Sequence, residues 1–165
     1  MAELPAVIIR PVQEDDAPAV WRIARQQGVI ETITALPGDR LQQRIETLRG
    51  LTRDDHWFVA EVEGEVVGLA GLHVFSGRLR HSGDIFLFVA RESQGRGIGT
   101  HLLEALLDVA DNWLMLRRVE LTVFAENARA KALYERHGFV VEGLRKMSVI
   151  SEGDLHDEYL MARYR

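Results

Sequence analysis

The sequence predicts a single α+β domain, and two observations on its apolar runs lead to that prediction. First, an apolar run at 84–89, a glycine-containing loop, a long amphipathic helix and a further apolar run at 118–124 form a β-α-β unit. Its two strands are expected to be parallel and joined by a right-handed crossover. Second, Glu63-Gly64 and Glu152-Gly153 each separate two apolar runs, which is a hairpin signal. No repeat, low-complexity tract or linker divides the chain, so the domain is expected to span residues 1–165.

The first half of the chain is predicted to hold two helices among its strands. Its elements are, in order, a strand at 6–11, a helix starting near 14–16, a helix at 41–48, and strands at 57–62, 65–75 and 84–89. Pro11 stops the first strand, and the acidic run 14–16 offers N-cap residues to a helix that Gly28 is expected to end. Gly50 closes the second helix. The strand at 84–89 is almost continuously apolar, which is typical of a sheet that is covered on both faces.

The second half begins with the long helix of the β-α-β unit. Its apolar positions advance by threes and fours and so form one stripe toward the core, at 98, 102, 105, 106, 109, 113 and 116. On this pattern Trp113 is a core residue and His101 is exposed. The predicted elements that follow are a strand at 118–124, a short helix capped by Asn127 and ended by Gly138, and strands near 146–150 and 154–162.

Composition excludes several classes of function. The net charge is −5 and the pI about 5.7, with no basic stripe, so nucleic acid is not an expected partner. The chain has no cysteine, which removes disulfides, thiolate metal sites and a cysteine nucleophile. It shows no signal peptide and no apolar run near the ~20 residues that cross a bilayer, so cytoplasm is expected and a membrane is not. His73, His81 and His101 match no dense ligand spacing, and no metal is expected.

Three glycines, Gly95, Gly97 and Gly99, fall within five residues between the buried strand and the long helix. The first amides of a helix have no intrahelical partner and carry the positive end of the helix dipole. Glycine permits the close backbone approach that lets such a loop wrap an anion, and a diphosphate suits it well. The loop is neither a Walker loop nor a dinucleotide fingerprint. From the loop alone, a connection built only for tight packing is an equal alternative.

The segment from Val89 to Thr100 closely resembles the Gln/Arg-x-x-Gly-x-Gly/Ala signature of the GNAT superfamily of N-acetyltransferases. The resemblance continues in order over almost the whole chain, at Leu121-Thr-Val-Phe124, Asn127-Ala128, Ala130, Tyr134, Gly138-Phe139 and Glu142-Gly143. Two further stretches, 111–114 and 159–163, resemble the branch that includes bacterial L-amino acid N-acetyltransferases.

This resemblance implies a fold and a cosubstrate. The fold is a mixed central β-sheet flanked by helices, in which strands 84–89 and 118–124 splay apart and acetyl-CoA lies in the opening. The residues implied to bind acetyl-CoA are Phe88 and Val89 through their backbone groups, the loop residues Gln94, Gly95, Arg96, Gly97, Ile98, Gly99 and Thr100, and Asn127. Tyr134 would stand near the thioester sulfur as the general acid. Among proteins of this kind a homodimer is common.

Forming an amide from a thioester needs a base, because free amines are mostly protonated near neutral pH. Asp84 begins the central strand and His81 lies just before it in the loop, and these two are the first candidates. His73 on the preceding strand and a chain of water molecules are alternatives. A backbone N–H near Phe88 or Val89 is the expected donor to the developing oxyanion. Without cysteine, direct transfer to the amine is simpler than an acyl-enzyme.

The function predicted from these features is transfer of the acetyl group of acetyl-CoA to a primary amine of a small molecule. The α-amino group of an L-amino acid or an analogue is the first candidate acceptor. Polyamines, aminoglycosides and protein N-termini are alternatives, and so is an acyl-CoA-binding sensor without activity. The acceptor pocket is expected to form from residues 28–40 and 148–158.

Overall fold

The computed structural model describes residues 6–165, in which seven strands form one sheet with four α-helices around it. The strands are β1 (Val7–Pro11), β2 (Asp55–Val62), β3 (Glu65–Val74), β4 (Ser82–Val89), β5 (Arg118–Phe124), β6 (Val140–Ser151) and β7 (Asp154–Tyr164). The helices are α1 (Ala17–Ala24), α2 (Leu41–Arg49), α3 (Ile98–Asp108) and α4 (Ala128–Arg136). The amino-terminal stretch on which the expectation about a signal peptide rests lies partly outside the described residues.

The sheet is mixed, with the strand order β1-β2-β3-β4-β5-β7-β6. Within residues 6–165, β4 and β5 pair in parallel and every other neighbouring pair is antiparallel. The predicted β-α-β unit and the mixed sheet are therefore confirmed. No helix of the described residues is both long enough and apolar enough to cross a membrane.

Both predicted hairpins are present, and their turns explain the Glu-Gly pairs. Glu63 and Gly64 have φ values of 51° and 82°, and Glu152 and Gly153 have values of 50° and 88°. Two consecutive residues with positive φ are what a two-residue type I′ turn requires, and this turn matches the twist of the flanking strands. Glycine accepts the second position without strain.

Two apolar layers cover the sheet, one on each face. Side chains of β4 alternate between them, because successive residues of a strand point to opposite faces. Ile85 and Val89 join the layer that α3 and α4 cover, which we call the α3 face. Phe86 and Phe88 join the layer that α1 covers, which we call the α1 face, and α2 packs against α1 on that side. The near-continuous apolar character of 84–89 reflects this coverage on both faces.

The expectation that Trp113 is a core residue is wrong, since its side chain is 79% exposed. After α3 the backbone enters a π-helical turn, Val109–Trp113, in which Leu114 N bonds to Val109 O. A π turn inserts an extra residue and rotates the residues after it, so the 3.6-residue period does not extend beyond the α-helix. The buried positions of this segment are Ile98, Leu102, Leu103, Leu106, Leu107, Ala110 and Leu116. His101 is exposed, as predicted.

Two other boundaries differ from the predictions. The first helix runs from Ala17 to Ala24 and so ends before Gly28, and the carboxylate of Asp16 makes no capping hydrogen bond to it. That carboxylate instead accepts two hydrogen bonds from Arg10, at 2.8 and 2.9 Å, and one from Gln13 N. Strand β6 begins at Val140, six residues before the predicted start at 146, because it pairs with β7 along most of its length.

Candidate active site

A gap opens in the sheet between β4 and β5. The two strands pair at only three positions, Ser82 with Arg118, Gly83 with Val119 and Asp84 with Glu120. Beyond these, β4 continues along β3 as far as Val89, and β5 continues along β7 as far as Phe124. Each strand thus follows its outer neighbour, and the two inner edges separate.

The alternation of hydrogen bonds shows which backbone groups of β4 face the gap. Ser82 O accepts from Phe75 N, and Ala90 N donates to Val67 O, so even-numbered residues bond to β3 in an unbroken register. The backbone groups of the odd-numbered residues Ile85, Leu87 and Val89 therefore point into the gap. This corrects the expectation for Phe88, whose backbone groups face β3 and not the gap. Phe88 still lines the cavity through its other atoms.

The gap forms part of a cavity of about 1080 Å³ that reaches both faces of the sheet. From the α1 face it is lined by residues 28–29 and 32–35, with Asp39 and Arg44 beyond them. From the α3 face it is lined by the glycine loop and by α4. The volume lies at or above the usual upper limit for a single small-ligand site, and it is sufficient for a large cosubstrate and a second molecule.

The glycine loop presents six consecutive amides without a partner. The N–H groups of residues 95–100 donate to no other described residue, whereas His101 N begins the regular pattern by bonding to Gly97 O. Gly95 and Gly97 have φ values of 78° and 80°, which glycine adopts without strain. Unpaired amides at a helix start attract an anion, and the loop has the form that a diphosphate requires.

The side chain of Gln94 ties this loop to β4 and to α4. Gln94 Nε2 donates to Val89 O at 3.1 Å, and Gln94 Oε1 accepts from Arg129 at 3.3 Å. Asn127 caps α4 by accepting from Ala130 N at 3.1 Å, and its amide nitrogen donates to no described residue, so it is free to donate into the cavity. Arg96 is not among the residues that line the cavity, and its amide donates to no other described residue.

Replacing Gly97 with Val is expected to raise the Kd for acetyl-CoA at least ~10-fold, because an L side chain in the left-handed region costs ~1–2 kcal/mol and displaces the amides. Gly99→Ala is the matched control. Gly99 has no positive φ, and a Cβ there would meet Leu133 Cδ2 at 3.4 Å, an ordinary contact. Calorimetric titration of both folded variants measures the difference, and equal affinities would remove the anion role of the loop.

Tyr134 on α4 lines the cavity and is buried, with 5% of its surface exposed. Its ring packs edge-to-face on Phe139 at 5.7 Å. The hydroxyl bonds to no other described residue. Among the described residues, every side-chain oxygen or nitrogen that is fully shielded from solvent has a partner, so this unpartnered hydroxyl is accessible and opens to the cavity. Burial raises the pKa of Tyr134 above its ordinary value, which keeps the hydroxyl protonated as a donor throughout the neutral range.

Two carboxylates stand side by side at the point where the strands separate. Asp84 and Glu120 are cross-strand partners and point to the α1 face, and both line the cavity. Glu120 accepts from Arg118 Nε at 2.7 Å, whereas Asp84 has no side-chain partner among the described residues. Burial is the largest cause that raises the pKa of Asp84, although the carboxylate still reaches solvent through the cavity. Of these two carboxylates, Asp84 is therefore the one without a cation hydrogen-bonded to it, and burial favours its accepting a proton.

The histidine candidates lie elsewhere. His81 is exposed and does not line the cavity, and its backbone oxygen accepts from Arg117 N and Arg118 N. His73 is the cross-strand neighbour of Asp84 on β3, but its Nδ1 is 2.8 Å from Asp55 Oδ1 and its ring is outside the cavity. His73 opposes the rise of the Asp84 pKa. Of the residues considered for the base, only Asp84 is brought to the gap.

Sequence reasoning missed several charged residues of the cavity, and two of them, Glu120 and Arg44, lie on the α1 face. Glu120 carries no local signal, because only the register of β4 against β5 brings it beside Asp84. Arg44 did carry a local sequence signal, since it falls on the inward stripe of α2 with Leu41, Ile45 and Leu48. A charged residue among apolar positions of a helix is a recognisable exception. Arginines 78, 80 and 91, which could have steered an anion, do not line the cavity.

The profile of the Acetyltransferase (GNAT) family matches residues 18–139, which include the gap, the loop and Tyr134. The chain belongs to the GNAT family. It is an acyl-CoA-dependent N-acetyltransferase that acts on amines, and acetyl-CoA is its cosubstrate. The unpaired amides of the loop and the free edge of β4 fit that molecule.

Relatives within the family are named for different amines. L-amino acid N-acetyltransferase AaaT of Escherichia coli K12 is 31% identical over 96% of this chain and 98% of that protein. Spermidine N(1)-acetyltransferase of the same strain is 26% identical over 84% of this chain and 75% of that protein. The crystal structure of spermidine N-acetyltransferase from Vibrio cholerae in complex with CoA and spermine has a TM-score of 0.85 at 23% identity, covering 96% of this chain and 95% of that one. At 23% identity, the similarity to this last structure shows a shared fold only.

The stretches 111–114 and 159–163, which resemble the amino-acid branch of the GNAT superfamily, contact each other in the fold. Asp111, from the first, accepts two hydrogen bonds of 2.8 Å from Arg163, from the second. This bidentate pair fastens β7 to the π-helical turn and lies outside the cavity. Arg163 holds the pKa of Asp111 below its ordinary value. Asp111 and Arg163 therefore stabilise the fold and do not contact the cavity.

Proposed function

We propose that this GNAT enzyme acetylates the α-amino group of an L-amino acid or a close analogue. The observation that carries the proposal is the 31% identity to AaaT over almost the full length of both chains. The cavity supports it, because carboxylates that can attract an ammonium group stand on the α1 face, directly at the gap. We further propose that residues 1–165 form one acetyltransferase domain and that the enzyme acts in the cytoplasm. Sedimentation in solution would decide between a monomer and a homodimer.

In this proposal the loop and the free edge of β4 bind acetyl-CoA from the α3 face. The amides of residues 95–100 hold the diphosphate, and Asn127 donates to the pantetheine. The backbone groups of Leu87 and Val89 pair with the arm as an added strand would. Acetyl-CoA supplies the activated acetyl group, and it reaches the gap with its carbonyl beside these amides.

The amine enters from the α1 face and meets the thioester at the gap. Asp84 accepts a proton from the ammonium group, directly or through water, and leaves a neutral amine. A gap-facing N–H of Leu87 or Val89 donates to the oxygen as charge develops on it. The neutral amine attacks the thioester carbonyl, and Tyr134 donates its proton to the sulfur as the C–S bond breaks. The attacking nitrogen loses its extra proton as the amide forms, and that proton restores the Tyr134 hydroxyl, because burial disfavours a tyrosinate.

A polyamine is the second candidate acceptor, because four carboxylates line the cavity, those of Asp39, Asp84, Glu120 and Glu158. Two acidic residues of the β6–β7 hairpin, Asp157 and Glu158, already have partners within the protein. Asp157 accepts from Lys146 and from Met147 N, and Glu158 accepts from Ser148 at 2.5 Å and lies 3.8 Å from Arg145. Apart from Glu158, the residues 148–158 do not line the cavity, contrary to the expectation for this segment.

Initial rates with methionine, phenylalanine, an aminoglycoside, spermidine and a peptide with a free N-terminus test the proposal. Release of CoA thiol reports turnover, and the chain contributes no thiol because it has no cysteine. We expect the amino acids to give the highest kcat/KM. A clear preference for spermidine would replace the proposed acceptor with a polyamine, and binding of acetyl-CoA without any turnover would indicate a sensor.

A further inference from the structure

Arg44 occupies an unusual position on α2. It lies on the stripe that faces inward, between Leu41 and Leu48, and its side chain is half-buried and lines the cavity. The other arginines of this helix region, Arg40 and Arg49, stay outside the cavity, and Arg49 pairs with Glu14 at the surface. Partial burial of a guanidinium costs free energy unless a hydrogen-bonding or charged partner offsets the loss of water.

No such partner is present among the described residues. Arg44 makes no hydrogen bond, ion pair or cation–π contact with any of them, and Asp39 favours its charge only from a distance. By contrast, Arg129 donates to Gln94 beside the glycine loop, and Arg145 lies 3.8 Å from Glu158. Burial lowers the pKa of Arg44, although the group stays charged at any physiological pH. The cavity therefore contains a half-buried cation with no partner among the described residues.

The location of Arg44 indicates which substrate it meets. α2 packs on α1, on the face of the sheet opposite to α3 and the glycine loop, so the phosphates of the cosubstrate are held on the other side. Thr32 and Thr34, whose side chains line the same part of the cavity, add small polar groups. Asp84 stands on this face as well, at the gap. An acceptor with an amine at Asp84 and an anionic group at Arg44 satisfies both charges.

We propose that the Arg44 guanidinium binds the carboxylate of the acceptor and thereby makes the enzyme selective for amines that carry one. The proposal rests on the function proposed above and names the residue that would enforce it. A planar guanidinium bonds a carboxylate through two parallel N–H groups, which lysine cannot reproduce. An amine without a carboxylate would leave this buried cation unpaired, so it would be disfavoured.

The test compares free methionine with methionine methyl ester in wild type, Arg44→Gln and Arg44→Lys, with Arg49→Gln as the control on the same helix. For Arg44→Gln, kcat/KM with the free acid should fall ~10- to 100-fold, the range for losing hydrogen bonds to a charged group. The rate with the ester should hold or rise, because the variant has no unpaired cation to penalise the ester. Arg44→Lys should recover part of the loss with the free acid, and Arg49→Gln should resemble wild type. Since Arg44 lacks a partner in the protein, the Tm of Arg44→Gln should equal or exceed that of wild type.

The possible failures are distinguishable. If wild type prefers spermidine to any amino acid, the proposed function fails and this inference fails with it. If wild type acetylates methionine but Arg44→Gln loses acid and ester equally, or if acid and ester react equally in wild type, only the role of Arg44 is overturned. A rise in the Kd for acetyl-CoA in Arg44→Gln would reassign the guanidinium to the cosubstrate, and a fall in Tm would make it a structural residue.

Discussion

Replacing Tyr134 with Phe is expected to lower kcat by ~10²- to 10⁴-fold, the usual contribution of a positioned proton donor. The ring and its contact with Phe139 remain, and the hydroxyl has no partner within the described protein whose loss would matter. The Kd for acetyl-CoA and the Tm should therefore stay near those of wild type. Single-turnover kinetics, in which chemistry limits the rate, measure the effect.

Tyr159→Phe is the matched control for that experiment, because Tyr159 lies on β7 and does not line the cavity. It should retain the rate of wild type. An unchanged single-turnover rate for Tyr134→Phe would leave Tyr134 as a packing residue of α4. The raised pKa of Tyr134 adds a second expectation, namely that wild type shows no loss of activity from this group until well above pH 10.

Replacing Asp84 with Asn is expected to lower kcat/KM by ~10²- to 10⁴-fold at neutral pH, because the variant has no carboxylate to accept the proton of the ammonium group. In wild type the activity should rise with pH as Asp84 loses its proton. Burial, with smaller contributions from Glu120 and Asp55, raises the pKa of Asp84 and outweighs the opposing charge of His73. The acid limb of the profile should therefore lie above the ordinary pKa of 3.8.

Glu120→Gln separates the two neighbouring carboxylates. It should leave an acid limb in place and move it to lower pH, since one negative charge beside Asp84 is lost. If Glu120→Gln abolishes the limb and Asp84→Asn retains it, Glu120 is the base. If both variants keep the limb and the rate, a water chain takes the proton. His81→Ala should match wild type in either case, because His81 is outside the cavity.

The arrangement of the site explains why the acetyl donor and the amine need not compete for space. The gap between β4 and β5 connects the two faces of the sheet, so one substrate can be held on each side. In the proposed function, the α3 face supplies unpaired amides for the phosphates of acetyl-CoA, and the α1 face supplies Asp84, Glu120 and Arg44 for a small charged acceptor. The thioester and the amine can then meet where the sheet is open.

The sequence by itself determined the parts that depend on local requirements. The Glu-Gly turns follow from the need for positive φ, the cap at Asn127 from the orphan amides of a helix start, and the glycine loop from close approach to an anion. The β-α-β unit followed from the spacing of apolar residues, because burial of one side of a helix or strand repeats apolar residues at that element's own period. These features involve residues within a few positions of each other, so a single segment specifies them.

Only the tertiary structure decided the features that join distant segments. Arg44, Asp84 and Glu120 lie on three separate elements, and the fold of α2 and the register of β4 against β5 alone bring them to one cavity. The sequences of two apolar strands do not encode that their pairing ends after three residues. That end depends on the outer neighbours, since β4 pairs with β3 and β5 pairs with β7 over longer stretches. Trp113 was misplaced for a related reason: the π-helical turn satisfies the end of α3 by a backbone bond that side-chain periodicity does not encode.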